Sequence, residues 1–266
     1  MLNWKNLDTL ASYQELEKTD RVNLVEVMSG ENGADRVKNY SIPMVEGLTY
    51  NYAAKAVDNQ VLEVLAKLAE EAQLVEKFES LYNGAVINTG EKRLVLHQLT
   101  RGQLGNKVEA DGVDKREFYV TQQKRIAEFA NKVHAGEITN AAGEKFTTVV
   151  QIGIGGSDLG PRAMYLALEN WAKKNNAFKM EAKFISNVDP DDAAAVLNSI
   201  DVAHSLFVLV SKSGTTLETL TNESFVKDAL AKAGLDASRH MIAVTSETSP
   251  LAKSADYLAA FFMDDY

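Results

Sequence analysis

The sequence predicts an α/β protein, with a doubly wound parallel sheet in its later part and a mainly helical region before it. Three observations predict this fold class. Strand-like and helix-like stretches alternate from residue 147 onwards, the strand-like stretches are rich in Val, Ile and Phe, and two of them end in loops rich in Gly, Ser and Thr. Such alternation is typical of a parallel sheet with helices on both faces.

The first 145 residues form the predicted helical region. Its clearest helical pattern lies in 50–80, where apolar residues recur at the spacing of one helix face, at Val57, Val61, Val64, Leu68 and Val75. A second helix is predicted over 120–134, and 135–145 is a polar linker. This region carries no pattern that indicates a function.

Residues 146–266 form the predicted α/β domain. Strand patterns lie at 147–152, 181–187, 206–211, 241–245 and 258–263, and helix patterns lie at 159–174, 190–199, 216–233 and 249–256. In such sheets, ligands bind beyond the carboxyl ends of the strands. Both Gly/Ser/Thr-rich loops leave that end of a strand, so we expect them to face one crevice if their strands are neighbours.

The loop after the third strand pattern is rich in hydroxyl groups. Hydroxyl side chains occur at Ser211, Ser213, Thr215, Thr216 and Thr219, together with Lys212 and Gly214. A helix start has unpaired N–H groups and a positive partial charge, which bind phosphate. Ordinary helix capping would need only one or two of these hydroxyls. The pattern therefore predicts a phosphate-binding loop.

The loop after the first strand pattern is rich in glycine and runs Gly153-Ile154-Gly155-Gly156-Ser157-Asp158. It matches part of the dinucleotide fingerprint G-x-G-x-x-G. However, Asp158 occupies the third glycine position, where a carboxylate would repel a pyrophosphate. Asp189 lies farther along than the roughly 20 residues expected of a ribose-binding acid. We therefore expect that no dinucleotide binds here.

Composition excludes several classes of protein. The hydrophobic content of 45% and charged content of 24% are those of a soluble globular protein. A net charge of −9 argues against nucleic acid or an anionic membrane as partner. The absence of cysteine excludes disulfides and thiolate metal sites. The stretch MLNWKNLDTL lacks the apolar core of a signal peptide, and no apolar run approaches roughly 18 residues, the length of a membrane span.

Two motifs resemble a known family. GIGGSDLGP at Gly153–Pro161 and SKSGTTLETLTNE at Ser211–Glu223 are similar to the two N-terminal motifs of glucose-6-phosphate isomerases, also called phosphoglucose isomerases. Ile185–Asp189 resembles the second strand of that family and its exit, and Thr89–His97 resembles a further segment. The resemblance implies a flavodoxin-like domain of the sugar-isomerase (SIS) type over 146–266. It also implies that a second SIS domain is absent from this chain.

The resemblance implies interconversion of glucose 6-phosphate and fructose 6-phosphate in glycolysis and gluconeogenesis. Members of the family open the sugar ring and move a proton between C2 and C1 through a cis-enediol(ate). They need no metal or nucleotide cofactor, and they usually act as cytoplasmic homodimers. Carried over by motif, the phosphate loop consists of Ser211, Lys212, Ser213, Gly214, Thr215, Thr216 and Thr219, and the sugar side is contacted by Gly156 and Ser157.

The resemblance implies no catalytic residue in this chain. The family uses a glutamate, an arginine in a G-G-R-[FY]-S motif, a histidine and a lysine, and none of their motifs occurs in 1–266. We therefore expect the chain alone to be inactive. Glu218 and His97 are the rival candidates for a base, although neither matches a catalytic position of the family. Another class stays open, because SIS-type domains also occur as regulatory sensors that bind a phosphosugar without converting it.

Overall fold

The structure, a computed structural model, describes residues 2–29 and 32–266. The chain divides into two compact units, Met1–Ile87 and Asn88–Tyr266. Residues 88–145 therefore belong to the same compact unit as the sheet, and the predicted domain boundary at 145/146 stays a prediction. Among the described residues, no helix is long and apolar enough to cross a membrane.

Among its described residues, the first unit has five α-helices and one hairpin. The helices are α1 (Ala11–Leu16), α2 (Leu24–Ser29), α3 (Gly33–Asn39), α4 (Asn59–Glu71) and α5 (Leu74–Tyr82). The hairpin pairs β1 (Ser41–Val45) with β2 (Leu48–Asn51) in antiparallel fashion. Gly47, with φ of 77°, lies in its tight turn, where a left-handed conformation suits glycine.

The single helix predicted over 50–80 is wrong, because this segment contains the end of β2 and two separate helices. The Asp58 side chain accepts a hydrogen bond from the Val61 backbone N–H (2.8 Å) and so begins α4. Gln73 has φ of 53°, a left-handed conformation that ends the helical path before α5. The apolar spacing continues on both sides of this break, so the pattern alone does not reveal it.

The second unit contains the large sheet. Before the large sheet, this unit has a separate short hairpin of β3 (Glu109–Ala110) and β4 (Val113–Asp114), and then α6 (Lys115–Ala135). The alternating part consists of β5 (Thr148–Ile152), α7 (Gly156–Lys174), β6 (Glu181–Ile185), α8 (Pro190–Asn198), β7 (Ser205–Val210), α9 (Leu217–Lys232), β8 (Met241–Thr245) and β9 (Ala259–Phe262). The predicted α/β fold class is therefore confirmed. The predicted last helix, 249–256, is only a 3₁₀ turn at Pro250–Lys253.

The five strands of the large sheet are parallel and follow the order β6-β5-β7-β8-β9. The chain therefore reverses its direction of winding between β5 and β7, which is the switch point where doubly wound sheets bind ligands. Ile152 at the end of β5 lies opposite Leu209 near the end of β7. The loops that follow these two strands consequently start at the same level of the sheet and at the same edge.

Apolar side chains pack on both faces of the sheet. On one face, Phe207, Leu209 and Ile152 are fully buried with side chains of α8 and α9. On the other face, α6 packs against the edge strand β9, and the rings of Phe129 and Phe261 meet edge to face with centroids 5.2 Å apart. These layers fix the sheet edge from which the two candidate loops emerge.

Candidate phosphate-binding site

The hydroxyl loop, residues 211–216, is anchored at its base to the neighbouring strand. The Ser211 N–H donates to the Val244 carbonyl (3.0 Å), and the Thr245 hydroxyl donates to the Ser211 carbonyl (2.7 Å). The Ser246 N–H then donates to the Lys212 carbonyl (3.0 Å). These bonds extend the β7–β8 ladder past the end of the strands, so the start of the loop is held by the sheet.

Hydroxyl groups also hold the loop together internally. The Ser211 hydroxyl accepts a hydrogen bond from the Gly214 N–H (3.1 Å) and lies 3.2 Å from the Thr216 hydroxyl. The Ser213 hydroxyl accepts from both the N–H (3.2 Å) and the hydroxyl (3.0 Å) of Thr215. Ser211 is buried, whereas Ser213 and Thr215 are exposed to solvent on a loop that these hydrogen bonds hold in place.

Gly214 is the point at which this loop requires glycine. Its φ is 67°, and a Cβ atom at this position would collide with the Ser249 hydroxyl and lie 3.0 Å from Leu251 Cγ. Both reasons exclude a side chain, since left-handed backbone is strained for other residues and the space is already filled. The loop therefore fits closely against the turn that follows β8.

Helix α9 begins in this loop without a side-chain cap. Thr216 occupies the N-cap position, but its side chain makes no capping hydrogen bond. One turn into the helix, Thr219 is only 1% exposed, and its hydroxyl has no hydrogen-bond partner among the described residues. A buried polar atom without a partner costs about 1–3 kcal/mol. Together with the uncapped helix start, the Thr219 hydroxyl indicates a place for a polar ligand.

The glycine loop, residues 153–156, leads from β5 into α7. Gly155 has φ of 57° and occupies the N-cap position, and a Cβ atom on Gly156 would meet only open space. The Ser157 carbonyl accepts a hydrogen bond from the Gln151 side chain (2.7 Å), which fixes the first turn of α7. The sheet order thus brings Gly156 and Ser157 to the edge that carries the hydroxyl loop, although the two loops share no direct hydrogen bond in the described chain. Their assignment as substrate contacts stays a prediction.

Asp158 and Asp189, on which the prediction of no dinucleotide binding rests, both have hydrogen-bond partners within the fold. Asp158 is 4% exposed and accepts a hydrogen bond from Arg162 Nε (3.0 Å), so its carboxylate is turned inward. Asp189 caps α8 by accepting from the N–H groups of Asp191 (2.9 Å) and Asp192 (3.3 Å). These contacts give both carboxylates a role in the fold, and the absence of dinucleotide binding stays a prediction.

Glu218 and His97, the rival bases, lie on exposed parts of the second unit. Glu218 is in the first turn of α9, where a carboxylate complements the helix dipole. His97 begins a 3₁₀ turn and lines a cavity of about 500 Å³.

The cavity beside Lys212 is a feature that the sequence patterns did not assign. Arg93, His97 and Lys212 contribute its basic groups, and Asp264 and Asp265 after β9 contribute carboxylates. The one signal in the sequence is the segment Thr89–His97, which resembles a family segment and contributes Arg93 and His97 to the cavity. Lys212 therefore lines this cavity and is also part of the hydroxyl loop.

One wall of the cavity is built around Asp264. Its carboxylate accepts hydrogen bonds from the Lys115 ammonium (3.1 Å) and the Tyr119 hydroxyl (2.7 Å), both on α6. The side chains of Lys115 and Asp264 are 7% and 8% exposed, so this ion pair is buried. Burial, with the hydrogen bond to Asp264, raises the pKa of Tyr119 and keeps its hydroxyl a donor. The cluster fixes the chain where it leaves β9.

The fold and the two loops define a class, namely doubly wound α/β proteins with a hydroxyl-rich loop at the switch point of the sheet. A model of the phosphoglucose isomerase family matches residues 51–257, and the chain belongs to that family. The family resemblance inferred from the two motifs is thereby confirmed.

The chain is similar to enzymes named glucose-6-phosphate isomerase from several bacteria. It is 58% identical to the enzyme of Treponema denticola over 270 residues, covering 100% of this chain and 51% of the relative. It is 44% identical to that of Borreliella afzelii, covering 50% of the relative. The crystal structure of a glucose-6-phosphate isomerase from Chlamydia trachomatis superimposes with a TM-score of 0.81 at 36% identity, over 98% of this chain and 49% of that one. The chain thus spans about half the length of these relatives.

Proposed function

We propose that this chain supplies the phosphate-binding part of an aldose–ketose isomerase that interconverts glucose 6-phosphate and fructose 6-phosphate. The observation that carries the proposal is the buried, unpartnered Thr219 hydroxyl at the uncapped start of α9. It lies at the switch point of a chain whose family is phosphoglucose isomerase, and the relatives at 39–58% identity are named glucose-6-phosphate isomerase.

In this proposal, the hydroxyl loop binds the phosphate group. The N–H groups at the start of α9 and the hydroxyls of the loop donate to the phosphate oxygens, with Thr219 completing its hydrogen bonding in the same way. Lys212 is exposed beside the loop and adds a positive charge. Gly156, which faces open space, and Ser157 contact the sugar side from the neighbouring strand.

The proton transfer itself requires groups that we assign to no residue of this chain. Moving a proton between C2 and C1 needs a base against the carbon and a group that stabilises the enediolate. We propose that these groups belong to the half of the relatives' length that this chain does not span. The chain then binds substrate and orients it without converting it.

The family and the net charge indicate the location, the oligomeric state and the partners of the whole enzyme. We propose a cytoplasmic enzyme of glycolysis and gluconeogenesis, homodimeric at full length, without metal or nucleotide cofactor. A net charge of −9 disfavours nucleic acid and anionic membranes as partners. The alternative of a regulatory phosphosugar sensor is not favoured, because relatives across the whole chain are named as isomerases.

Calorimetry with 6-phosphogluconate tests the binding site. We expect the chain to bind it and the Ser213→Asp variant to lose at least about tenfold in affinity, since charge-assisted hydrogen bonds contribute about 1.5–3 kcal/mol each. The new carboxylate also repels phosphate. Ser224→Asp is the matched control, because it adds the same charge on the exposed side of α9. Equal affinity of the two variants, or no binding by the unaltered chain, would contradict the proposed site.

A coupled assay that follows fructose 6-phosphate to glucose 6-phosphate tests where the chemistry resides. We expect no turnover above background from the chain alone, because a positioned base is missing. Turnover that disappears in Glu218→Gln or in His97→Ala would place the base in this chain. That outcome would make the assignment of a binding part wrong, while leaving the calorimetric prediction intact.

A further inference from the structure

The large sheet is buried unequally on its two faces. Strands β5, β7 and β8 direct alternate residues to each face, as pleated strands do. On the face covered by α8 and α9, Val150, Phe207 and Leu209 are all fully buried. On the opposite face, Leu206 and Ile242 are buried in a cluster with Val133 of α6, but Val149, Val208 and Val244 are only half-buried. Parallel sheets occur almost only with both faces covered, so the cover of the second face is incomplete.

An apolar groove runs along this second face. Helix α7 contacts β5 and β6 at one side of the sheet, and α6 contacts β9 at the other. Between them lies a space of about 530 Å³ floored by side chains that include Val149, Val208 and Val244. Val133 of α6 covers Leu206 and Ile242, whereas the part of the groove beside Val149, Val208 and Val244 is open to solvent.

Helix α7 carries an exposed apolar stripe, of which Met164 and Leu168 line the groove. It packs on the sheet through Tyr165 and Ala172, which are half-buried. Met164, Leu168 and Trp171 follow one another at helical spacing on an adjoining side and are 62%, 50% and 60% exposed. A helix with apolar residues on its outer sides is typical of one buried within a larger protein.

Helix α6 provides the second wall of the groove. Ile126, Phe129 and Val133 line it at spacings of three and four residues, so they form one stripe along the helix. Ile126, at the open end of this stripe, is 47% exposed. The groove is therefore a slot with two apolar helical walls and an apolar sheet as its floor, which is the shape that receives the apolar side of another helix.

We propose that this groove docks the apolar side of an amphipathic helix that belongs to the half of the relatives' length with no counterpart in this chain. The relatives named above match this chain over its whole length and continue for as much again. Such a helix would complete the helical layer over β5, β7 and β8 and bury the α7 stripe. A second copy of this chain and a free peptide are the other possible occupants, and the experiment separates them.

Co-expression tests the proposal. The chain is produced together with the half of the Treponema denticola glucose-6-phosphate isomerase that it does not match, with an affinity tag on that half only. We expect the two polypeptides to co-purify as a one-to-one complex by light scattering. The double variant Met164→Glu, Leu168→Glu places two carboxylates in the groove, and we expect it to reduce co-purification at least about tenfold, because burying unpaired charge is unfavourable. Leu104→Glu, at another exposed leucine of the same unit, is the matched control.

Circular dichroism and urea denaturation first check that each variant is folded. We expect each to fold, because the substituted residues are exposed. A complex that the double variant leaves intact would overturn the proposal, and so would failure of the unaltered chain to co-purify. Self-association of the chain alone, abolished by the double variant and not by Leu104→Glu, would also overturn it, since the occupant would then be a second copy.

Discussion

The Lys115→Met variant is expected to lose about 3–5 kcal/mol of unfolding free energy, because it breaks a buried ion pair. Methionine keeps the aliphatic length of lysine but leaves the Asp264 carboxylate buried without its cation. The Tyr119 hydroxyl, at 2.7 Å, then remains as the side-chain donor to that carboxylate. Native domains are stable by only about 5–15 kcal/mol, so a loss of this size would be visible in urea denaturation followed by circular dichroism.

Lys107→Met is the matched control for Lys115→Met. Lys107 pairs with Glu109 at 2.5 Å, but both side chains are largely exposed, so we expect little change in stability. The double variant Lys115→Met, Asp264→Asn should recover part of the loss, since it removes the unpaired charge as well. Equal stabilities of Lys115→Met and Lys107→Met would show that the Lys115–Asp264 pair does not stabilise the end of β9.

The Gly214→Ala variant is expected to lose about 2–5 kcal/mol of unfolding free energy. We also expect it to show no measurable binding of 6-phosphogluconate. Left-handed backbone costs a non-glycine residue about 1–2 kcal/mol. Overpacking against Ser249 and Leu251 adds about 1–3 kcal/mol. The loop can relieve the contact only by moving away from the turn after β8, which breaks the hydrogen bond from the Gly214 N–H to the Ser211 hydroxyl.

Gly143→Ala separates backbone strain from overpacking. Gly143 has φ of 82°, and nothing lies within 4 Å of the position of its Cβ atom. Its replacement should therefore cost only the strain, about 1–2 kcal/mol, and leave binding unchanged. If the two alanine variants were equally stable and bound ligand equally well, the close fit of the hydroxyl loop against Ser249 would not be a requirement of the site.

Local patterns in the sequence determined the elements of the sheet and the composition of its loops. The strands β5 to β9 lie within one or two residues of their predicted positions, because all except β6 are short apolar runs that end in glycine, proline or polar residues. The hydroxyl loop was recognisable for the same reason, since its unusual density of Ser and Thr is contiguous in the chain. The two motifs also determined the family.

Contacts between residues distant in sequence were decided only by the tertiary structure. Lys115 and Asp264 are 149 residues apart, and the local sequence around either residue does not predict their buried ion pair. The break at Gln73 is not visible in the sequence, because the apolar spacing continues past it. The unpartnered Thr219 hydroxyl could not be predicted, because a missing hydrogen bond depends on every group that packs around it.

The arrangement of the strands shows most clearly the difference between what local sequence patterns determine and what the tertiary structure decides. The sequence determined that two loops rich in Gly, Ser and Thr follow strands, but only the order β6-β5-β7-β8-β9 placed those strands side by side. Helical spacing places Met164, Leu168 and Trp171 on one side of α7, but only the structure shows that Met164 and Leu168 line an open groove. Periodicity reports which residues face together, and the packing of elements far apart in the chain decides what they face.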